Sequence, residues 1–235
     1  MSVRDVTTAF VRRSVEAARP GPPSARTARP VLAASARRAF DIVFALVALI
    51  LSAPLILAAA AAVRIDSPGP AFFRQRRMGQ HGRPFSLLKL RGMYVDARDR
   101  FPELYDYASR TAETNRSYYF HERTDPRVTR VGRILRRTSI DELPNFWNVL
   151  RGEMSVVGPR PEIPELAHIY GDDLERFLSA RPGITSPAKA LGRDSLSVEE
   201  TVMLELAYID NRSFALDLRT ILRTAANVAR RRSVC

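Results

Sequence analysis

The 235-residue chain has one cysteine, Cys235 at its C-terminal end, three scattered histidines (His81, His121, His168) and two lysines (Lys89, Lys189). A lone cysteine excludes an internal disulfide framework and a multi-cysteine zinc site, and the histidines form no His-rich metal cluster. Familiar signatures are missing too. There is no G-x-x-x-x-G-K-[ST] phosphate loop, no G-x-G-x-x-G, no H-E-x-x-H and no G-x-S-x-G. The shortage of lysine has a different use. Of 37 basic residues, 37 − 2 = 35 are arginine, so any one arginine carries little information and a retained lysine carries more.

What is abundant is positive charge: 37 basic against 25 acidic residues give +12, which points to an anionic partner. Half of that charge lies in residues 1–40, where the sequence carries eight Arg and two acids. Residues 1–35, with RPGPPSARTARP at 19–30, read as a disordered basic arm on anionic lipid, each Arg contributing about 1 kcal/mol near the surface. Nucleic acid is not the expected partner, because no recognition motif with interleaved aromatics accompanies the charge. The length suits one domain of roughly 150–200 residues plus an appendage.

From Ile42 to Val63 run 22 residues without a charge, enough for the roughly 20 a bilayer-crossing helix needs. Both flanks are basic: Arg37 and Arg38 before, Arg64, Arg74, Arg76 and Arg77 after. A simple span carries its Lys/Arg excess on one side. Ser52-Ala53-Pro54 sits in the middle, and Pro54 removes a helical hydrogen bond. The pattern predicts a re-entrant helix-break-helix over 36–64, with Ser52 satisfying freed carbonyls beside Pro54. A straight span, a buried core helix and a secretory signal with an overlong n-region are the alternatives.

Residues 65–235 read as the remaining domain, so the fold class is α+β, mostly helical with a small β-hairpin. Asp66-Ser67-Pro68-Gly69-Pro70 is a turn cluster. Ala71–Arg76 and Pro84–Leu90 predict two strands joined around Gly79-Gln80-His81-Gly82. Helices are predicted over Tyr94–Arg110, Arg127–Leu135, Leu143–Leu150 and Pro164–Ala180, and a loop over Thr111–Thr124 with Tyr118-Tyr119-Phe120 docking it. Phe214, Leu218, Ile221, Ala225 and Val228 make one apolar face of a C-terminal helix, expected on the core, with the lipid interface as the alternative. Phe72, Phe73 and Trp147 read as core or anchor residues.

The chemistry-bearing stretch is Arg136-Arg137-Thr138-Ser139-Ile140-Asp141-Glu142-Leu143-Pro144, followed by Gly158-Pro159-Arg160-Pro161 and Arg181-Pro182-Gly183-Ile184-Thr185. Adjacent carboxylates among arginines suit phosphoryl transfer: one can bind Mg²⁺, the other can attack phosphorus, and guanidinium forks hold phosphate oxygens. Ser139-x-x-Glu142 also matches a capping box, in which Glu142 merely reaches back to an N-cap amide.

These blocks resemble the bacterial sugar transferase family, the monotopic phosphoglycosyl transferases that start cell-surface glycan assembly. The resemblance runs from about Ser35 to Ala226 and rests on RRAFDIVFALVALILSAPLIL, DSPGPAFFRQRRMG, PFSLLKLRGM, DPRVTRVGRILRRTSIDELPNFWNVLRGEMSVVGPRPE, RPGIT and YIDNRSFALDLRTILRT. It implies an enzyme of the bacterial inner membrane with its catalytic domain on the cytoplasmic face. Relatives move a sugar 1-phosphate from a nucleotide diphosphate sugar to polyprenyl (undecaprenyl) phosphate for exopolysaccharide, capsule or O-antigen synthesis. It implies Asp141 as nucleophile, Glu142 in support, Mg²⁺ on Asp141 and Glu142, and Lys89, Arg91, Arg136, Arg160 and Arg181 on phosphate or substrate. A homo-oligomer is compatible with it. Leu90 and Gly92 depart from the family's aromatic and Ser/Thr around Arg91, and Ser186-Pro187-Ala188-Lys189 replaces the G-x-x-Q-V of many members. A non-catalytic membrane scaffold is the competing function.

Overall fold

The computed structural model describes residues 30–107, 125–191 and 196–229. Most of the arm (1–29), the 111–124 loop with its aromatic cluster, His121 and Cys235 lie outside them. The described residues are mostly helical, with two small two-stranded sheets.

Helix α1 spans Pro30–Asp66 as one continuous α-helix with Pro54 inside it. The expected break at Ser52–Pro54 is therefore not a break: the helical backbone runs through. Pro54 has no N–H for the Ile50 carbonyl. Ser52 does not take over that carbonyl; its Oγ donates to Ala48 O at 2.6 Å, a back-bond of the kind that bends helices. The helix also begins at Pro30, inside the stretch read as arm.

By length and composition α1 can cross a bilayer, and only 17% of its most apolar window is buried. A core helix of a soluble domain would be covered all round. Its two ends are instead fastened to the rest of the molecule. Near the start, Arg38 donates to Val149 O (2.7 Å) and Leu150 O (2.9 Å), satisfying the last carbonyls of a following helix. Buried Asp41 accepts from Ser155 Oγ at 2.8 Å and from Val156 N at 2.9 Å. At the far end Ala59 and Val63 pack on Leu90 and Leu135, and Asp66 accepts from Val131 N at 3.0 Å.

Strands β1 (Phe72–Met78) and β2 (Pro84–Leu90) form the predicted antiparallel hairpin, with Phe72 opposite Leu90 and Met78 opposite Pro84. A short helix α2 (Ala97–Arg100) and a 3-10 turn (Pro102–Tyr105) occupy part of the stretch predicted as one helix. Helices α3 (Arg130–Thr138) and α4 (Asn145–Leu150) flank the dyad. Strand β3 (Ser155–Val157) pairs in parallel with β4 (Gly183–Thr185). Within the connection between them, the stretch predicted as one helix over Pro164–Ala180 is a 3-10 run, Pro164–Asp173, kinked inside at Gly171 (φ +49°), followed by α5 (Leu174–Leu178).

Helices α6 (Pro187–Ala190), α7 (Val198–Asp210) and α8 (Phe214–Ala229) complete the domain. Ala45, Phe85, Leu87, Val149, Met154 and Tyr208 belong to the main core. Helix α8 departs from the expected packing. Its buried side is polar: Asp217 takes the Arg37 Nε–H (2.8 Å) and the Tyr208 hydroxyl (2.6 Å), and Thr224 bonds Thr185 at 2.6 Å. Ile221 packs on the core, but Phe214, Leu218 and Leu222, four residues apart, are exposed.

Candidate active site

The dyad owes its position to a chain reversal. Helix α3 starts at Thr129, whose hydroxyl caps Gly132 N, and stops at Ser139, a non-glycine residue at φ +55°. A left-handed serine ends the helix and throws the next three residues, Ile140–Glu142, into a 3-10 turn. Ser139 makes no side-chain cap to that turn, so the capping-box alternative is not the role of Glu142. The turn packs against β2, which delivers Lys89.

A cleft of about 630 Å³, counted to its open mouth, is lined by Lys89, Asp141, Glu142, Arg160, Arg77 and Lys189, among others. Both lysines of the chain thus reach one place. Lys189 Nζ donates to a Glu142 carboxylate oxygen and to Ile184 O at 3.1 Å. Lys89 Nζ lies 5.5 Å from the Phe73 ring centroid. Arg77 donates to Pro161 O at 3.0 Å and to Gln75 Oε1 at 2.7 Å. Arg160 stands 3.7 Å from Glu162 Oε2.

Burial and mutual charge separate the titrating groups. Desolvation, with Arg77 nearby, pushes the Lys89 ammonium down to about 8. Desolvation and the Glu142 charge push Asp141 up, against the pull of Lys89, Arg136 and Lys189. Burial also opposes ionisation of Glu142, but Lys189 overrides it and holds that carboxyl below its ordinary value. Behind the wall, on α7, buried Glu205 is pushed up to about 8 by desolvation, beside Ser186 and Arg160.

Other predicted residues lie elsewhere. Arg91 is buried, but it turns away from the cleft: its guanidinium donates to Ser67 O (2.7 Å), Ser67 Oγ (2.9 Å) and Pro68 O, so it fastens the exit of α1. The guanidinium expected on phosphate is here taken up by the backbone and hydroxyl oxygens of Ser67 and Pro68. Arg136 is outside the lining, 3.9 Å from Asp125 Oδ2, though its charge reaches Lys89 and Asp141. Arg181 also stands off the lining and is an electrostatic neighbour of Arg38. Its block and the Gly158 block meet through backbone. A Cβ on Gly183 would lie 2.1 Å from Gly158 N, and one on Gly158 would lie 2.3 Å from Arg181 O.

Sequence reasoning does not single out Arg77, Asn145 or Lys189 as site residues. For Lys189 a signal existed, namely the scarcity of lysine. For Arg77 nothing distinguishes it from Arg74 and Arg76. Asn145 matters because its Oδ1 and Asp141 Oδ1, both on cleft-lining residues, are buried without a hydrogen-bond partner among the described residues. Orphaned hard oxygens fit Mg²⁺. Among the described residues no three His, Cys, Asp or Glu gather as a metal site. A cation here would complete its shell with water and substrate phosphates, as Mg²⁺ commonly does.

A model of the bacterial sugar transferase family matches residues 32–231. The UDP-glucose:undecaprenyl-phosphate glucose-1-phosphate transferase of Caulobacter vibrioides is 40% identical over 218 residues, covering 89% of this chain and 74% of that protein. The exopolysaccharide production protein ExoY of Sinorhizobium fredii is 36% identical over 194 residues, 80% of this chain and 83% of that one. The undecaprenyl-phosphate galactose phosphotransferase of Salmonella typhimurium is 37% identical over 197 residues, 83% of this chain. This chain spans only 40% of the Salmonella protein's length.

Proposed function

The chain belongs to the bacterial sugar transferase family, and from that premise we propose that it transfers a sugar 1-phosphate from a nucleotide diphosphate sugar to polyprenyl phosphate. The observation that carries the reading is the convergence of Asp141 and Glu142 with both lysines, Arg77 and Arg160 in one cleft. Names of relatives that act on undecaprenyl phosphate, and of one in exopolysaccharide production, support it.

In this reading a carboxylate oxygen of Asp141 attacks the sugar-bearing phosphorus of the donor. The bond from that phosphorus to the bridging oxygen breaks, and nucleoside monophosphate leaves with that oxygen. A phosphate oxygen of the polyprenyl acceptor then attacks the same phosphorus and expels the Asp141 carboxylate, giving polyprenyl diphosphate sugar. The leaving group departs as a stabilised anion, so no strong general acid is required. A carboxylate approaching a diphosphate meets like-charge repulsion, which Lys89, Arg77 and Arg160 offset from fixed positions. Asp141, Glu142 and the Asn145 amide oxygen are the groups that would hold Mg²⁺, which supplies further positive charge against the phosphate oxygens.

The membrane reading follows from how α1 is fastened. Asp41 and Val63 are 22 residues apart, about 33 Å along a straight helix, roughly the thickness of a bilayer's hydrocarbon core. Yet both ends are bonded to the same domain. A straight crossing would pull that domain into the hydrocarbon. This supports an apolar helix that enters one face of the bilayer without crossing it, with the catalytic domain on the cytoplasmic face, where sugar nucleotides and the acceptor headgroup meet.

The test is nucleoside monophosphate release from a panel of nucleotide diphosphate sugars by membrane-reconstituted protein, with Mg²⁺ and undecaprenyl phosphate. Release with one donor, reduced on the order of 10³-fold or more by Asp141→Asn, is the expected result and names the sugar. If wild type matched Asp141→Asn with every donor, the transferase reading would give way to that of a membrane scaffold.

A further inference from the structure

The two carboxylates of the dyad are not equivalent, and Lys189 is what separates them. Among the described residues Asp141 keeps a buried oxygen without a partner, and so does Asn145 four residues on. Glu142 is engaged, because the Lys189 ammonium donates to its Oε2 and to Ile184 O. The pair is recessed, with side chains 13% and 33% exposed. The base of the lysine is fixed by Ser186, whose hydroxyl accepts the Lys189 backbone N–H at 3.2 Å. Its ammonium is carried on a flexible four-carbon stem with three donors. This is also the segment in which the chain departs from the family's G-x-x-Q-V pattern.

We infer that Lys189 is the resident counter-ion of Glu142: a divalent cation reaches that carboxylate only by displacing the ammonium, which then passes to the donor's diphosphate. The inference rests on the reading of the cleft as a phosphosugar transfer site. An ammonium hydrogen-bonded to a carboxylate cancels much of the charge that a cation would bind. A doubly charged ion placed beside it also meets repulsion that a recessed cleft screens poorly. A donor diphosphate offers the ammonium an alternative set of acceptor oxygens. Donor binding therefore releases Glu142 to the metal, and by linkage the metal favours the donor equally.

The test uses Mn²⁺ as the probe, its free concentration read by electron paramagnetic resonance over the full chain in nanodiscs without nucleotide. Lys189→Gln and, as a second uncharged variant, Lys189→Met are expected to bind Mn²⁺ on the order of tenfold more tightly than wild type. Lys189→Arg keeps the charge and is expected near wild type, and Asp141→Asn is expected to bind more weakly. In turnover, Lys189→Gln should raise the KM for donor by a larger factor than it lowers kcat. Wild-type or weaker Mn²⁺ affinity in both uncharged variants, with Asp141→Asn still weakened, overturns the counter-ion role and leaves the transferase reading standing. Unchanged affinity in Asp141→Asn overturns it differently, by placing the metal away from the dyad. The transferase reading is then judged by monophosphate release alone.

Discussion

Asp141 and Glu142 are neighbours in sequence with opposite electrostatic fates, and three side chains decide the difference. Lys189 stabilises the negative form of Glu142, and that negative charge, added to desolvation, makes Asp141 harder to ionise. Lys89, Arg136 and, by its own charge, Lys189 pull the other way. Glu205, one layer back, is buried, and among the described residues no ammonium or guanidinium bonds its carboxylate. Its ordinary value of 4.5 rises to about 8, chiefly through desolvation, so the folded protein holds a proton that the unfolded chain has lost. Stability contributed at this site therefore falls as pH climbs from 4.5 toward about 8 and is level above that. Glu205→Gln removes the proton linkage. Its melting temperature should exceed that of wild type by a margin that widens between pH 5 and pH 8, read by thermal unfolding at several pH values. A margin constant with pH would mean that Glu205 is not the group responsible. At this scale the sequence was partly legible. The dyad stood out by chemical type and Lys189 by rarity, but nothing in the sequence says that Arg91 serves backbone carbonyls rather than phosphate. The capping-box pattern was real yet misplaced: Ser139-x-x-Glu142 makes none, whereas Ser197 and Glu200 make both of its bonds at the start of α7.

Among the elements, the tightest constraint on the site is where the turns before β4 and after β3 meet. Gly158 N donates to Thr185 O at 3.0 Å and Gly183 N to Pro159 O at 2.8 Å, backbone against backbone with no room for a side chain. Ile184, Ser186 and Lys189 follow directly and line the cleft. Gly183→Ala should therefore cost about 2 kcal/mol through overpacking and lower monophosphate release by more than the stability loss alone explains, because the segment carrying Lys189 must move. Chemical denaturation and single-turnover release check the two halves separately, and a stable variant with full release would sink the argument. The hairpin β1–β2 was readable because seven-residue strands flank a glycine-bearing turn. The β3–β4 pair was not, since three-residue strands are too short to show a period and their parallel pairing depends on a long crossover. Helix α7 is likewise hard to read from sequence despite its capping box. Its inward set, Leu204, Glu205, Leu206 and Tyr208, mixes a carboxylate into the buried positions and blurs the apolar stripe.

For the whole molecule, the unusual feature is apolar surface left outside while polar groups are buried beneath it. Helix α8 turns Asp217 and Thr220 inward and exposes Phe214, Leu218 and Leu222. Phe214 is continuous with α1, its ring meeting Phe40 edge-on at 5.3 Å. On α1 itself Val43, Ile50, Leu51 and Leu57 are more than 60% exposed. In water such a surface would be an aggregation liability. Against lipid it is the expected outer face of an interfacial protein, and the buried polar network beneath α8 then joins that helix to Arg37 at the mouth of α1. The composition announced the apolar run and its basic flanks. It could not announce that both ends return to one domain, because Asp41–Ser155 and Asp66–Val131 are contacts between residues far apart in the chain. Those contacts make a sidedness prediction. In a Cys235→Ser background, Ser35→Cys and Ile65→Cys, both at exposed positions flanking the apolar run, should react with a membrane-impermeant maleimide in inverted vesicles, and neither should react in intact spheroplasts. Labelling of the two positions from opposite sides would require Asp41 or Asp66 to release its partners. Leaving Val156 N or Val131 N without its acceptor would cost on the order of 1–3 kcal/mol if the site stayed dry, so the labelling pattern reports directly on whether the two-ended fastening survives in the bilayer.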